Sequence, residues 1–121
     1  MEFVETTIFT RRLEKFGGAA ILQTIESDLV ANPELGPIIS GTHGARKGRV
    51  ADPSSGRGKS SGYRYLYLYL KDHGRIYLLF IFAKNEQSNL TEQQKTSVAS
   101  LVRQIEEEAS KRVSSSIAKK K

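Results

Sequence analysis

The chain lacks cysteine altogether and has only two histidines among its 121 residues. The absence of cysteine excludes disulfide frameworks, thiolate nucleophiles and zinc sites built on cysteine, and two histidines are too few for a histidine-based metal cage. The longest strongly apolar run, Ile76 to Ala83, is far shorter than a membrane span, and the first residues do not have the pattern of a signal peptide. We therefore expect a soluble intracellular protein.

Positive charge is concentrated in one part of the chain. Residues 41–64 contain six basic side chains and one acidic side chain, whereas residues 1–40 contain three basic and six acidic ones. The net charge of the whole chain is +6. Such asymmetry favours docking of one face of the protein on a polyanion. The length is enough for one domain with a single modest core.

Hydrophobic periodicity predicts a single α+β domain over residues 1–113, beginning with a short strand at residues 2–5. A helix capped by Thr6 or Thr7 follows, and a second helix spans residues 19–31, so that the two form a helical hairpin. The apolar positions of the hairpin are Ile8, Phe9, Leu13 and Phe16 in the first helix and Ile21, Leu22, Ile25 and Leu29 in the second.

Two runs of β-prone residues, Tyr63 to Leu70 and Arg75 to Ala83, predict a β-hairpin with Gly74 at positive φ in its turn. Both runs are apolar on both faces, so we expect them at the centre of an antiparallel sheet of three or four strands. Residues 46–51 predict a further strand, followed by a turn-rich loop. If side chains simply alternate along each strand, Arg64, Leu66, Leu68 and Leu70 lie on one face of the first strand. In the same way, Ile76, Leu78, Phe80 and Phe82 lie on one face of the second strand.

A C-terminal helix is indicated by the sequence Thr91-Glu92-Gln93-Gln94, which has the pattern of a capping box. The apolar residues Val98, Leu101, Val102 and Ile105 then recur at helical spacing. Residues 114–121 have few apolar side chains, and we expect them to form a flexible basic tail.

The basic stretch between Gly41 and Arg64 has the composition of a phosphate-binding segment. It combines arginine and lysine with glycine and serine, which offer guanidinium groups and free backbone N–H groups to a nucleic-acid backbone. The alternative is a solvated loop that is basic without a function. Arg64 begins a central strand, where a planar guanidinium is held rigidly enough to bind two phosphate oxygens, and the hairpin register brings Lys84 to the same end of the sheet.

Five short motifs follow one another along the chain. They are Asn32-Pro33-Glu34-Leu35-Gly36, Gly41-Thr42, Arg46-Lys47-x-Arg49-Val50, Gly56-Arg57-Gly58-Lys59-Ser60-Ser61-Gly62-Tyr63-Arg64 and Tyr77-Leu78-Leu79-x-Ile81-x-Ala83-Lys84-Asn85-Glu86. In this order and spacing the chain resembles the RelE/ParE superfamily of bacterial toxins, closest to its HigB-type branch. The likeness covers residues 3–105, and no single motif is diagnostic alone.

The resemblance implies a RelE-like fold, similar to microbial ribonucleases, and the toxin of a type II toxin–antitoxin system in the bacterial cytoplasm. It implies an mRNA endonuclease that enters the A site of the 30S ribosomal subunit and is silenced by an antitoxin with a helix-turn-helix DNA-binding domain. In such cleavage the 2′-OH of the RNA attacks the adjacent phosphate, and the route requires no metal or cofactor. Two alternatives stay open, a ParE-like poison of DNA gyrase and a non-catalytic module that binds RNA or the ribosome.

The expected roles of the basic residues follow from this resemblance together with their place in the predicted fold. The catalytic candidates are Arg64, Lys84, Lys59 and Arg57, and the candidates for contacts with RNA or the ribosome are Arg46, Lys47, Arg49 and Tyr63. Glu86 and His43 are the possible general bases. Relatives often carry an arginine where this chain has Asn85 and sometimes a tyrosine where it has Thr91, which leaves the general acid and base unassigned.

Overall fold

Seven α-helices and β-strands follow one another along the chain in a computed structural model that describes residues 1–52, 62–87 and 89–119, excluding the side chains of residues 112–119. The elements are β1 (Glu2–Glu5), α1 (Thr7–Lys15), α2 (Ala19–Ala31), β2 (Arg46–Val50), β3 (Tyr63–Leu70), β4 (Arg75–Ala83) and α3 (Glu92–Lys119). Of the helices in these ranges, none is both long and apolar enough to cross a membrane. The predicted α+β class and element order are confirmed.

The four strands form one sheet in the order β1-β4-β3-β2. The pairs β2–β3 and β3–β4 are antiparallel, as predicted, and the two apolar strands are central. The first strand differs from the expected antiparallel arrangement because it lies parallel to β4, with Phe3 opposite Ile76. A strand of four residues carries too little pattern to reveal its direction from sequence. The turn between β3 and β4 places Gly74 at a φ of 56°, as predicted.

The sheet separates two apolar layers. On one side, β2, β3 and β4 pack against α1 and α2 through Phe9, Leu13, Ile21, Ile25, Leu29, Val50, Tyr65, Tyr67, Ile76, Leu78 and Ile81. On the other side, the layer beneath α3 consists of Ala45, Leu66, Leu68, Leu79, Val102 and Ile105. We call these the helix-pair face and the α3 face of the sheet.

A β-bulge in β4 overturns part of the predicted alternation. Leu66 pairs with Phe80 and Tyr67 pairs with Leu78, so Leu79 is an extra residue opposite the junction of its partner strand. As a result, Leu79 and Phe80 both belong to the α3 face. The prediction that Phe80 shares a face with Ile76 and Leu78 is therefore wrong. The ring centre of Phe82 lies 5.9 Å from that of Phe80. Phe82 therefore lies with Phe80 and not on the predicted face with Ile76 and Leu78.

Both predicted helix caps are present. The backbone N–H of Phe9 donates to the hydroxyl of Thr6, 3.1 Å away, at the start of α1. At the start of α3, the N–H of Gln94 donates to the Thr91 hydroxyl at 3.1 Å and the Gln94 side chain accepts from the Thr91 N–H at 2.9 Å. This reciprocal pair is a capping box. The helix continues to Lys119 and so includes most of the segment predicted as a tail, while the domain boundary at residue 113 stays a prediction.

Ile8 differs in its exposure from the other apolar residues of the first helix. Its side chain is 51% exposed, because α1 lies along the edge of β4 and turns only Phe9 and Leu13 fully inward. Ile8 instead borders a groove of about 490 Å³ between α1 and α3, whose floor includes Leu79 and Phe80.

Tyr65 offers a test of the packing on the helix-pair face. Its side chain is fully buried, and within the described ranges its hydroxyl has no hydrogen-bond partner. Burial also holds the pKa of Tyr65 well above its ordinary value. Because a buried hydroxyl without a partner costs about 1–3 kcal/mol, we expect Tyr65→Phe to raise the free energy of unfolding by up to that amount. Urea denaturation measures this, and a loss of stability would contradict the packing described.

Candidate phosphate-binding site

Two arginines lie side by side at one end of the sheet. Arg49 of β2 pairs with Arg64 of β3, which in turn pairs with Phe82 of β4. Directly paired residues have their Cβ atoms about 4.5–5.5 Å apart and point to the same face. We call Arg49 and Arg64 the arginine pair. Because Arg64 alternates with Tyr63 and Tyr65, it projects from the α3 face of the sheet.

The two guanidinium groups differ in their environment. Arg64 is only 8% exposed, whereas Arg49 is exposed. Burial lowers the pKa of Arg64 from its ordinary value, and the positive charge of Arg49 lowers it further. Both effects oppose the charged form of the side chain, and a bound anion would reduce the repulsion between the two cations. The pair is therefore a favourable place for a phosphate group.

Lys84 extends the row of cations around the end of the sheet. Its backbone N–H donates to the carbonyl of Gly62 at 3.1 Å, one step beyond the Tyr63–Ala83 pair. This places Lys84 diagonally across from Arg64, where Cα atoms are about 7–8 Å apart. The predicted hairpin register, which brings Lys84 to the same end of the sheet as Arg64, is confirmed. The arginine pair and Lys84 thus lie at the same end of the sheet.

Gly62 allows this end of the sheet to close. An added Cβ atom would lie 2.1 Å from the Val50 carbonyl oxygen, 2.7 Å from the Asp52 nitrogen and 2.8 Å from the Ala51 Cα. All three are backbone atoms of the β2 end, which cannot yield as a flexible side chain can. Only glycine lets the two strand ends approach this closely, two residues before Arg64.

The other residues predicted to contact RNA lie in different places. Lys47 pairs with Leu66 and shares the α3 face with Arg49. Arg46 lies on the helix-pair face, where its guanidinium donates to the Gly36 carbonyl at 2.8 Å and stands 3.5 Å from the Glu34 carboxylate. Arg46 therefore holds the segment after α2 against β2 and is separate from the arginine pair.

The two predicted general bases are both engaged elsewhere. One Glu86 carboxylate oxygen accepts from the Ala83 N–H at 2.9 Å and from the Arg12 guanidinium at 2.7 Å. His43 lies in the loop before β2, and its side chain stands 3.3 Å from the Glu106 carboxylate of α3. This loop leads into the end of β2 that is remote from Arg49. Neither side chain reaches the arginine pair in this arrangement. Arg57 and Lys59 lie outside the described residues, and their roles stay predictions.

Arg12 is a residue that sequence reasoning missed. Its guanidinium lies 4.9 Å from the Phe80 ring centre and 5.6 Å from that of Phe16, and it also donates to the Ile81 carbonyl. Through Glu86 it fixes the turn that carries Lys84. No sequence signal could have revealed this contact, because Arg12 and Glu86 are 74 positions apart.

The bond between Arg12 and Glu86 predicts a pH-dependent contribution to stability. The hydrogen bond from Ala83 and the Arg12 guanidinium hold the pKa of Glu86 below its ordinary value of 4.5. A depressed pKa stabilises the fold above the unfolded-state value, and this contribution is lost as the pH falls through the folded-state pKa. We expect stability to fall less between pH 5 and about pH 3 in Glu86→Gln than in the wild type, by under about 1 kcal/mol because the pair is partly exposed. Denaturation curves at several pH values check this, and identical slopes would contradict it.

A polar cleft of about 700 Å³ opens beside the arginine pair, on the other side of the strand ends. Its lining includes Phe16 and Tyr63, whose ring centres are 4.7 Å apart. Burial raises the pKa of Tyr63, and the nearby charge of Asp52 adds to the effect. The remaining lining residues are Lys15, Asp52, Gly62, Ala83, Lys84, Asn85 and Glu86. We call this space the Tyr63 cleft.

Within the described ranges, no group of three or more histidine, aspartate or glutamate side chains is arranged to hold a metal ion.

Comparison with known proteins identifies the fold and the family of this chain. A double mutant of the E. coli toxin RelE, solved in the free state, is similar over 71% of this chain and 85% of its own, with a TM-score of 0.50 and 14% sequence identity. That likeness shows a RelE-like α+β fold. A family model described as the RelE toxin of the RelE/RelB toxin–antitoxin system matches residues 32–121.

The chain belongs to the RelE toxin family, because this family model matches most of its length. The predicted membership of the RelE superfamily is confirmed, while the assignment to a HigB-type branch stays a prediction. A toxin of a toxin–antitoxin system has an antitoxin as its partner, so the predicted antitoxin is confirmed at that level.

Proposed function

We propose that this toxin is a ribosome-dependent endoribonuclease that cleaves translated mRNA and so inhibits translation. The observation that carries the proposal is the arginine pair with Lys84 beside it at one end of the sheet. A rigid central strand that presents a buried guanidinium next to a second cation supplies a preorganised site for a phosphate. Family membership supports a toxin but leaves its reaction open.

The proposed reaction uses a nucleophile that belongs to the substrate. The 2′-oxygen of one nucleotide attacks the adjacent phosphorus, the bond to the 5′-oxygen of the next nucleotide breaks, and a 2′,3′-cyclic phosphate and a 5′-OH result. The proton of the 2′-OH goes to a general base, and the departing 5′-oxygen receives one from a general acid. The protein must align these atoms and stabilise the charge of the pentacoordinate phosphorus.

Arg64 is the residue best placed to stabilise that charge. Its planar guanidinium binds two oxygens at once, and the fold holds it almost fully buried. Lys84 approaches from the neighbouring strand and supplies a second positive charge. We propose Lys59 and Arg57 as the further catalytic residues, with lysine as a proton donor where neighbouring cations depress its pKa. Lys47 and Arg49, on the α3 face, and Arg46 and Tyr63 are proposed to contact RNA or the ribosome.

Cleavage in a reconstituted bacterial translation system tests the proposal. Purified toxin is added to ribosomes translating a defined mRNA, and primer extension maps the 5′ ends that appear. We expect discrete cuts inside translated codons, and none when ribosomes are omitted. Intact mRNA on translating ribosomes would contradict the proposal, and DNA damage in cells without mRNA cuts would indicate a gyrase poison instead.

The proposed partner and location are open to a separate test. We propose that the antitoxin carries a helix-turn-helix DNA-binding domain and that the toxin acts in the bacterial cytoplasm. A small reading frame with a helix-turn-helix pattern next to the toxin gene is expected. Coexpression with its product should restore growth and give a complex on gel filtration.

A further inference from the structure

We propose that the Tyr63 cleft is a subsite for one unstacked nucleotide of single-stranded RNA, next to the phosphate held by the arginine pair. The inference rests on the proposed function, since it names the part of the same substrate that this cleft would hold. It concerns a second binding surface, because the cleft and the arginine pair lie on opposite sides of the strand ends.

The aromatic residues of the cleft suit a nucleobase. The rings of Phe16 and Tyr63 are tilted by 36° with centres 4.7 Å apart, and both side chains are half-buried. Unpaired bases of single-stranded RNA bind by stacking on such rings, and stacking contributes about 1–3 kcal/mol per base. A volume of about 700 Å³ lies within the range of small-molecule sites, about 300–1,000 Å³, and so accommodates a nucleotide.

The polar lining suits the rest of a nucleotide. Lys15 and Lys84 are exposed cations among the lining residues, and each can bind a phosphate oxygen. The exposed amide of Asn85 offers both donors and an acceptor to the edge of a base. The carboxylate of Glu86 is already bound by Arg12, so its negative charge is largely neutralised. Asp52 adds a second carboxylate to the lining. With Arg12 counted, the cleft has three cations and two carboxylates, and this net charge of +1 favours an anionic ligand.

The strand geometry connects the cleft to the phosphate site. Tyr63 and Arg64 are successive residues of β3, so their side chains project to opposite faces of the sheet. Lys84 lines the cleft and lies diagonally across from Arg64. An RNA strand that passes over the ends of β3 and β4 can place one phosphate against Arg64 and the neighbouring base against Tyr63.

Fluorescence of 2-aminopurine tests this inference without any need for cleavage. The probe is a short single-stranded RNA with one 2-aminopurine, methylated at every 2′-oxygen so that it cannot be cut, and a terminal dye reports binding through anisotropy. The chain has no tryptophan, so 2-aminopurine can be excited selectively. We expect the fluorescence to fall when wild-type protein binds, because stacking on an aromatic ring quenches it.

Variants of Tyr63 give the decisive comparison. Tyr63→Phe keeps a ring and should preserve quenching, whereas Tyr63→Leu keeps the apolar packing, removes the ring and should weaken binding about 5- to 150-fold. Tyr69→Leu is the matched control, since it removes a half-buried tyrosine from the other end of the same strand and should leave binding unchanged. Circular dichroism confirms that each variant is folded.

Several results would overturn the inference. Binding of the probe without quenching, no binding up to millimolar protein, or equal affinity in Tyr63→Leu and wild type would each do so. If Tyr63→Leu weakens the antitoxin complex and leaves RNA affinity intact, the cleft belongs to the protein partner instead. Failure of the proposed function gives a different pattern, in which mRNA on translating ribosomes stays intact whether or not 2-aminopurine is quenched.

Discussion

Replacing Arg64 and Lys84 together by alanine is expected to reduce cleavage of translated mRNA by at least about 10³-fold. Removal of one preorganised donor from the charged transition state of an enzyme costs about 10²–10³ in rate, and this double variant removes two groups from one phosphate. Arg64→Lys should fall between the wild type and the double variant, because it keeps a positive charge but loses the planar donor pair. Rates are measured by primer extension in the reconstituted translation system.

The control for this prediction is Lys71→Ala with Arg75→Ala. It removes the same two residue types from the opposite end of the β3–β4 hairpin, where Leu70 pairs with Arg75. The net charge of the protein changes equally, so any general loss of affinity for RNA affects both double variants. Thermal unfolding shows whether the loss of the buried Arg64 side chain has disrupted the fold. If the folded Arg64 and Lys84 variant cleaved as fast as the control, the proposed role of the site would be wrong.

The β-hairpin at the centre of the sheet could be predicted closely from sequence. Tyr63 to Leu70 and Arg75 to Ala83 are continuous β-prone runs bounded by turn residues, and the structure has the same strand bounds. The bounds of α2 were predictable for a similar reason, because glycines precede it and a proline follows Asn32. In each case, local sequence and tertiary packing favour the same structure.

The β-bulge at Leu79 could not be predicted in this way. Residues 76–82 are all apolar, so a pattern of alternation fits either face and gives no sign of an extra residue. The bulge is decided by the need to pair with β3 while both faces of β4 stay buried. The parallel direction of β1 is likewise decided by packing of α1 along β4 and not by its own four residues.

The candidate site was predictable only where it depends on strand register. The approach of Arg64 and Lys84 follows from the length of a hairpin, which sequence shows directly. The contacts of Arg12 with Glu86, and of Arg46 with Gly36, depend on how separate segments pack together. The Phe16 and Tyr63 rings meet for the same reason, since α1 must first dock beside the sheet.

Gly62→Ala is expected to lose both stability and activity. The new methyl group would collide with backbone atoms of β2, 2.1 Å from the Val50 carbonyl oxygen, so the strand ends must separate. Such overpacking costs about 1–3 kcal/mol. Separation also moves Arg49 away from Arg64, and we expect mRNA cleavage to fall by about 10-fold or more, because small misplacements of catalytic groups carry large kinetic costs.

The control Gly74→Ala distinguishes loss of alignment from loss of stability. Gly74 has a φ of 56° and no atom within 4 Å of an added Cβ, so alanine there adds backbone strain without a collision. That strain costs about 1–2 kcal/mol at the opposite end of the same hairpin. Urea denaturation should therefore show similar losses for the two variants, while only Gly62→Ala loses cleavage at a temperature where both are folded. Equal cleavage rates would mean that the close approach at Gly62 stabilises the sheet without aligning the arginine pair.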